Sequence, residues 1–133
     1  MNPFNRTIAA VSTPRGKGGI AVIRISGSDA VSVASRMFRS KLNLSEYPAR
    51  SAVYGEILSS EDEVIDTGIA VIYRAPASFT GEDVVDISCH GGVSVTLETL
   101  MSAIAHGAVS AMAGEFTKRA FVNGQLSLTE ADA

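Results

Sequence analysis

The sequence has little cysteine and no long apolar run. Cys89 is the single cysteine among 133 residues, so an intrachain disulfide is excluded and a reducing compartment is favoured. No apolar stretch approaches membrane-spanning length, and the first residues lack a charged segment leading into an apolar one. We therefore expect a cytoplasmic protein that does not associate with a membrane.

An excess of positive charge is also missing. The formal net charge is -3, whereas tight nucleic-acid binding draws most of its affinity from Lys and Arg side chains that meet phosphates. The basic residues are scattered, and pairs such as Lys118 and Arg119 are interpreted as solvated faces. Any contact with nucleic acid is therefore expected to be local or made by other regions.

Motifs for catalysis and metal binding are lacking too. GKGG at 16–19 has neither the upstream glycine nor the Ser/Thr of a phosphate loop, and GxSxG and HExxH do not occur. Two histidines and one cysteine leave little material for a metal site. We expect no catalytic residue and no metal in this segment.

What the sequence does contain is the composition of a folded domain. Hydrophobic residues make up 46% and charged residues 19%, which excludes disorder and a disulfide scaffold. Periodicity and turn residues predict strands over 7–13, 20–26, 51–58, 64–73 and 84–88, and helices after Ser28, after Gly92 and over 115–122. The predicted fold class is α+β, a mixed β-sheet with helices packed against it.

Details of the helices follow from caps and apolar spacing. Ser28 is the predicted N-cap of the first helix, whose apolar positions include Val31, Ala34, Met37 and Phe38. Gly107 is the predicted C-cap of the second helix, and Ser127 with Glu130 matches a capping box. The second helix is expected to bury an apolar stripe made of Val93, Leu97, Leu100, Met101 and Ile104.

Two charged residues stand at strand positions where aliphatic residues are usual. Alternation places Arg24 on one face with Val22, and Asp86 on one face with Val84, joined by His90 if the strand continues. They are either a structural ion pair or part of a pocket for a planar heteroaromatic ligand. In such a pocket the carboxylate accepts paired N–H bonds, and the guanidinium donates to a carbonyl or carboxylate. The spacing does not choose between these readings.

Other polar residues have simpler interpretations. HGG at 90–92 is either an anion site at a helix start or, as we favour, a tight turn in which His90 caps or packs. Glu82 and Asp83 are neighbours entering a strand, so they should diverge rather than act as an acid/base pair. Cys89 is interpreted as a small core residue.

Three segments carry a resemblance to a known family. TIAAVSTPRGKGGIAVIRISG, SFTGEDVVDISCHGG and GEFTKRAFVNGQLSLTEADA resemble, in order and spacing, the N-terminal region of the tRNA-modification GTPases known as MnmE or TrmE. The resemblance implies a folate-binding-domain-like fold over 1–124, and the start of a truncated helical domain over 125–133. It also implies a homodimer that binds 5-formyltetrahydrofolate or a related tetrahydrofolate.

The resemblance implies site residues and partners as well. Arg24 takes the place of a folate-contacting arginine, Asp86 that of an acidic residue that is usually Glu, and Gln125 that of a residue that is often Lys. The complete enzyme is expected to modify the wobble uridine of tRNA with an FAD-dependent partner protein, and to bind tRNA mainly through other regions. GTP, Mg and K are expected only in a GTPase domain absent from this chain.

Two other functions stay open at this point. The changes at Asp86 and Gln125 suggest an interaction module that dimerises without a ligand. The fold implied by the resemblance also suggests a stand-alone one-carbon transferase.

Overall fold

The computed structural model describes residues 6–12 and 19–125. These residues form seven strands: β1 (Ile8–Val11), β2 (Ile20–Ser26), β3 (Phe38–Arg39), β4 (Ala52–Leu58), β5 (Val64–Tyr73), β6 (Val84–His90) and β7 (Val109–Ser110). They also form three α-helices: α1 (Ala30–Met37), α2 (Val93–Ala105) and α3 (Glu115–Val122). The strands make one sheet in the order β3-β4-β5-β6-β2-β1-β7.

The sheet is mixed, as predicted. Every neighbouring pair is antiparallel except β1 with β7, which is parallel. The polypeptide between β1 and β7 has to return to the same edge with the same direction, and α2 lies within that connection. An α+β fold with a mixed sheet is therefore confirmed.

The two faces of the sheet differ in what covers them. Residues of one parity, such as Ile23 in β2 and Ile87 in β6, are fully buried in one apolar cluster with α1, and α2 packs across the same strands. Arg24 and Asp86 belong to the alternate residues, which point to the other face, and both are only half-buried. We call this second side the open face.

The strand predictions agree closely with the structure. β2 and β5 have the predicted bounds, β1 and β4 are slightly shorter than predicted, and β6 continues to His90. Because β6 stays extended, His90 joins the face of Asp86. α3 also has the predicted bounds.

Helix α1 begins and ends at residues other than those predicted. The N-cap is Asp29 rather than Ser28, and no side chain caps the helix. Val31, Ala34 and Met37 are buried as the apolar spacing predicted. Phe38 has left the helix and begins β3, because its extended backbone pairs with Ile57 of β4.

The apolar stripe predicted for α2 is the clearest error. Of the five predicted residues, Val93 is 77% exposed, Leu97 54% and Met101 58%, whereas Leu100 and Ile104 are half-buried. The buried residues of the helix are Thr99, Ser102 and Ala103. Small side chains let this helix lie close to the sheet, and both hydroxyls are satisfied: Ser102 Oγ donates to the Leu58 carbonyl at 2.6 Å, and Thr99 bonds within the helix. A hydroxyl with an internal acceptor can replace an aliphatic group in a core.

Three short features escaped sequence reasoning. β3 and β7 have two residues each, and a 3-10 helix over Leu44–Glu46 has its own capping box from Asn43. The C-cap of α2 is His106, and Gly107, one residue later, has a φ of 125° that glycine tolerates. The capping box predicted at Ser127 and Glu130 lies outside the described residues.

Candidate ligand cavity

Arg24 and Asp86 meet on the open face at the centre of the sheet. They are directly opposite each other in the β2 and β6 register, so their side chains leave the sheet side by side. Arg24 Nε donates to Asp86 Oδ1 at 3.0 Å and Nη2 donates to Oδ2 at 3.1 Å. The two predicted residues therefore form a bidentate ion pair whose side chains are 22% and 16% exposed.

The ion pair also lines a cavity of about 380 Å³. That volume lies within the range of about 300–1,000 Å³ common for small-molecule sites. The wall opposite the pair comes from the loop over 74–83, which joins β5 to β6. The residues around the cavity are Arg24, Arg50, Tyr73, Ala77, Ser78, Phe79, Val84 and Asp86. Arg24 and Asp86 therefore form an ion pair that also lines a cavity.

The pair keeps unused hydrogen-bonding capacity. A guanidinium has five N–H groups and a carboxylate about four acceptor sites, and the salt bridge uses two of each. Donors and acceptors are thus presented together within a few ångströms, in a plane fixed by the bidentate contact. Such an edge complements a heteroaromatic ring that carries N–H groups next to a carbonyl.

Two aromatic rings lie against the arginine. The Arg24 guanidinium carbon is 5.2 Å from the centroid of Phe79 and 5.9 Å from that of Phe116. Both distances are within the range of cation–π attraction. Phe79 is 42% exposed, so part of its ring stays accessible at the cavity. The rings restrict where Arg24 can move and add apolar surface beside its charge.

A buried polar network holds the loop behind the cavity. Ser26 Oγ lies 2.7 Å from Thr80 Oγ1 and donates to Glu82 Oε1 at 2.9 Å. Arg119 Nη1 donates to Glu82 Oε1 at 3.0 Å, and its Nη2 donates to Glu115 Oε2 at 2.9 Å. Ser26 belongs to β2, Thr80 and Glu82 to the loop, and Arg119 to α3. These hydrogen bonds therefore connect the loop to both the sheet and the helix.

Arg119 corrects the interpretation of Lys118 and Arg119 as a solvated pair. Lys118 is exposed, but Arg119 is only 2% exposed. Glu115 and Arg119 are four residues apart and so face each other on α3, a spacing that predicts their ion pair but not the burial of Arg119. Burial acts to raise the pKa of Glu115, but hydrogen bonds from the Met112 N–H and Arg119 bring it below its ordinary value.

Glu82 and Asp83 diverge as expected. Glu82 turns to Ser26 and Arg119, whereas Asp83 Oδ1 accepts from the Ala75 N–H at 2.8 Å. Each carboxylate therefore has a structural partner of its own. They do not form a pair.

Gln125 does not line the cavity. Its side chain is exposed, and Nε2 donates to the carbonyl of Pro76 at 3.0 Å. Pro76 belongs to the same loop that forms the cavity wall. The structure thus brings Arg24 and Asp86 together and places Gln125 at the outer side of the loop.

His90 and Cys89 are explained by local contacts. His90 Nδ1 lies 2.8 Å from Asp66 Oδ1, and the His90 N–H donates to Asp66 Oδ2 at 2.8 Å. Burial acts to raise the pKa of Asp66, but the bonds from His90 hold it below its ordinary value. Cys89 is buried, as expected of a core residue, and burial raises the pKa of its thiol.

Two other features, a metal site and a membrane-spanning helix, are absent from residues 6–12 and 19–125. No group of three or more His, Cys, Asp or Glu side chains could hold a metal ion. Over the same residues no helix is long and apolar enough to cross a membrane.

The fold and the cavity define the class: an α+β protein whose mixed sheet carries an open cavity lined by an ion pair. Residues 7–125 match the family described as "GTP-binding protein TrmE N-terminus", and the chain belongs to this family. It is 48% identical to "tRNA modification GTPase MnmE" of Lactobacillus helveticus over 96% of this chain. The protein of the same description from Parabacteroides distasonis is also 48% identical over 96% of this chain.

The match covers a limited part of the relatives. The chain spans 28% of the length of each of these two proteins. It therefore corresponds to one region of a longer enzyme in those organisms.

Proposed function

We propose that this chain is a folate-binding and dimerising domain of an enzyme that modifies tRNA. The observation that carries the proposal is the Arg24–Asp86 pair in an open cavity. Family membership supports the tRNA-modification role. The ligand we propose is 5-formyltetrahydrofolate or a related tetrahydrofolate.

The chemistry of a tetrahydrofolate fits the residues of the cavity. Its aminopyrimidinone ring carries N–H groups beside a carbonyl, which match the free acceptor sites of Asp86 and donors of Arg24. Its glutamate tail is negative, and Arg50 supplies a second guanidinium at the cavity wall. Gln125 bonds to Pro76 of the loop, so in this proposal its neutral amide contacts the ligand only outside the loop.

The remaining activities belong to the complete enzyme. In this proposal GTP, Mg and K bind in a separate GTPase domain, and an FAD-dependent partner protein joins in modifying the wobble uridine. Other regions supply most of the tRNA contacts, which agrees with the net charge of -3 on this chain. The enzyme acts in the cytoplasm.

Calorimetric titration with 5-formyltetrahydrofolate tests the proposal. Saturable binding is expected, and Arg24→Ala should weaken it about tenfold or more, because a hydrogen bond to a charged group is worth about 1.5–3 kcal/mol. Arg39→Ala is the matched control, since Arg39 pairs with Glu56 away from the cavity. No saturation at millimolar ligand, or equal losses in both variants, would overturn folate binding.

The open face also supports dimerisation. Ile20, Tyr54 and Ile69 have the same strand parity as Arg24 and Asp86 and are 62%, 70% and 43% exposed. Tyr54 and Ile69 are direct cross-strand neighbours. A group of exposed apolar side chains is typical of a surface that another protein covers.

Sedimentation equilibrium measures the assembly directly. We expect the wild type to dimerise and Ile69→Asp to be monomeric, because the interface would bury an unpaired carboxylate. Leu42→Asp introduces the same charge at an exposed leucine outside the sheet and should leave the dimer intact. A monomeric wild type, or equal dissociation of both variants, contradicts this interface.

One observation favours the alternative of a ligand-free interaction module. Arg24 and Asp86 already pair with each other through two hydrogen bonds, and Gln125 is already bonded to Pro76. In that case the dimer would persist in sedimentation while the calorimetric titration stays flat.

A further inference from the structure

One face of helix α3 contacts Arg24 and the loop that forms the cavity wall. Phe116, Arg119 and Asn123 are three and four residues apart, a spacing that places side chains on one side of a helix and its cap. Phe116 lies against the Arg24 guanidinium. Arg119 binds Glu82, and Asn123 Nδ2 donates to the Thr80 carbonyl at 2.8 Å.

We propose that this face of α3 positions the cavity: it holds Arg24 and the loop over 74–83 in the conformation that accepts a ligand. The inference rests on the proposed function for the identity of the ligand. Phe116, Arg119 and Asn123 are positioning residues, because they act through Arg24 and the loop.

The contact between Arg119 and Glu82 supplies the strongest link. Their side chains are 2% and 12% exposed, and charged hydrogen bonds gain strength where water is excluded. Glu82 also accepts from Ser26 of β2, so one carboxylate joins the loop, the helix and the sheet. Moving α3 would leave this buried carboxylate without its cation, which is strongly unfavourable.

The contact at Asn123 fixes the tip of the loop. Beside its bond to Thr80, Asn123 packs so closely on Gly81 that a Cβ added there would lie 2.7 Å from the Asn123 Cβ. Gly81 has a φ of 83°, which a residue with a side chain rarely adopts. Phe79, two residues earlier, is the loop residue that lies against Arg24. The position of the tip therefore determines the position of the ring in the cavity.

Asn123→Ala is the sharpest test, because it removes one neutral hydrogen bond and leaves the buried ions in place. Lys118→Ala, at an exposed position on the same helix, is the matched control. The first measurement is amide hydrogen exchange at Ala77 and Gly81, whose N–H groups bond within the loop. Asn123→Ala should speed exchange there about tenfold, and exchange at Ile23 in the core should not change.

The second measurement is the dissociation constant for 5-formyltetrahydrofolate. Asn123→Ala should raise it about tenfold, and Lys118→Ala should leave it unchanged. Faster exchange without weaker binding would overturn the inference, as would equal results for the two variants. If the wild type binds no folate, the proposed function fails by itself, and loop exchange in Asn123→Ala still decides whether α3 positions the cavity loop.

Discussion

Half-buried carboxylates in this protein are held ionised by donors from specific neighbours. Asp66 accepts from both the backbone N–H and the ring of His90. Glu115 accepts from the Met112 N–H at 2.9 Å and from Arg119. Hydrogen bonds that form only with the ionised group lower its pKa despite burial.

This arrangement makes stability depend on acid pH. Because the folded pKa values lie below the ordinary 3.8 of Asp66 and 4.5 of Glu115, the stabilisation is present above those values. It is lost as the pH falls through the lower folded values. We expect Asp66→Asn to be less stable than wild type at neutral pH and the difference to shrink on acidification. Urea unfolding from neutral to acid pH measures the difference in unfolding free energy between the two proteins. A difference that stays constant at every pH would contradict this explanation.

The site residues show what can be predicted from a single sequence. Arg24 and Asp86 were identifiable because a charge between aliphatic residues breaks the pattern of a strand. Their pairing depends on which strands are neighbours, and β2 meets β6 across 62 residues of sequence. The burial of Arg119 could not be predicted, because one of its two carboxylate partners, Glu82, is distant in sequence.

Strands β5 and β6 approach each other closely at Gly68. A Cβ there would overlap the backbone carbonyl oxygen of Ser88 and lie 3.0 Å from Ile57 Cδ1. Backbone atoms of a central strand cannot shift as easily as the end of a flexible side chain. The glycine is therefore required by the spacing of these two strands.

Gly68→Ala should lower the free energy of unfolding by about 1–3 kcal/mol or more, as overpacking does in a close-packed interior. Urea denaturation measures the loss. Gly19→Ala is the control, since no atom lies within 4 Å of its added Cβ, and it should be nearly neutral. Equal stability of the two variants would show that the strands can separate at no cost.

Helical periodicity does not predict which residues of α2 are buried. In α2 the large apolar residues Val93, Leu97 and Met101 are exposed, and the buried ones include Thr99 and Ser102. The reason is tertiary: the helix lies close to the sheet, and Leu58 offers an acceptor for Ser102. Neither fact can be deduced from helical periodicity, whereas strand bounds follow from alternation and turn residues within the segment itself.

In the whole molecule, the two faces of the sheet have different roles. One face is filled by the apolar core beneath α1 and α2. The open face carries the ion pair, the cavity and exposed Tyr54 and Ile69. The fold class followed from the sequence, but the cavity could not, because its wall is a loop whose conformation depends on α3.

Amide chemical-shift mapping of the isotope-labelled chain tests whether folate binds in this cavity. On titration with 5-formyltetrahydrofolate, we predict that the largest shifts occur at the residues of the cavity, above all Arg24, Phe79 and Asp86. Residues of α1, beneath the opposite face, should shift little. Shifts confined to α1 and α2, or no shifts at millimolar ligand, would contradict the assignment of this cavity as a folate site.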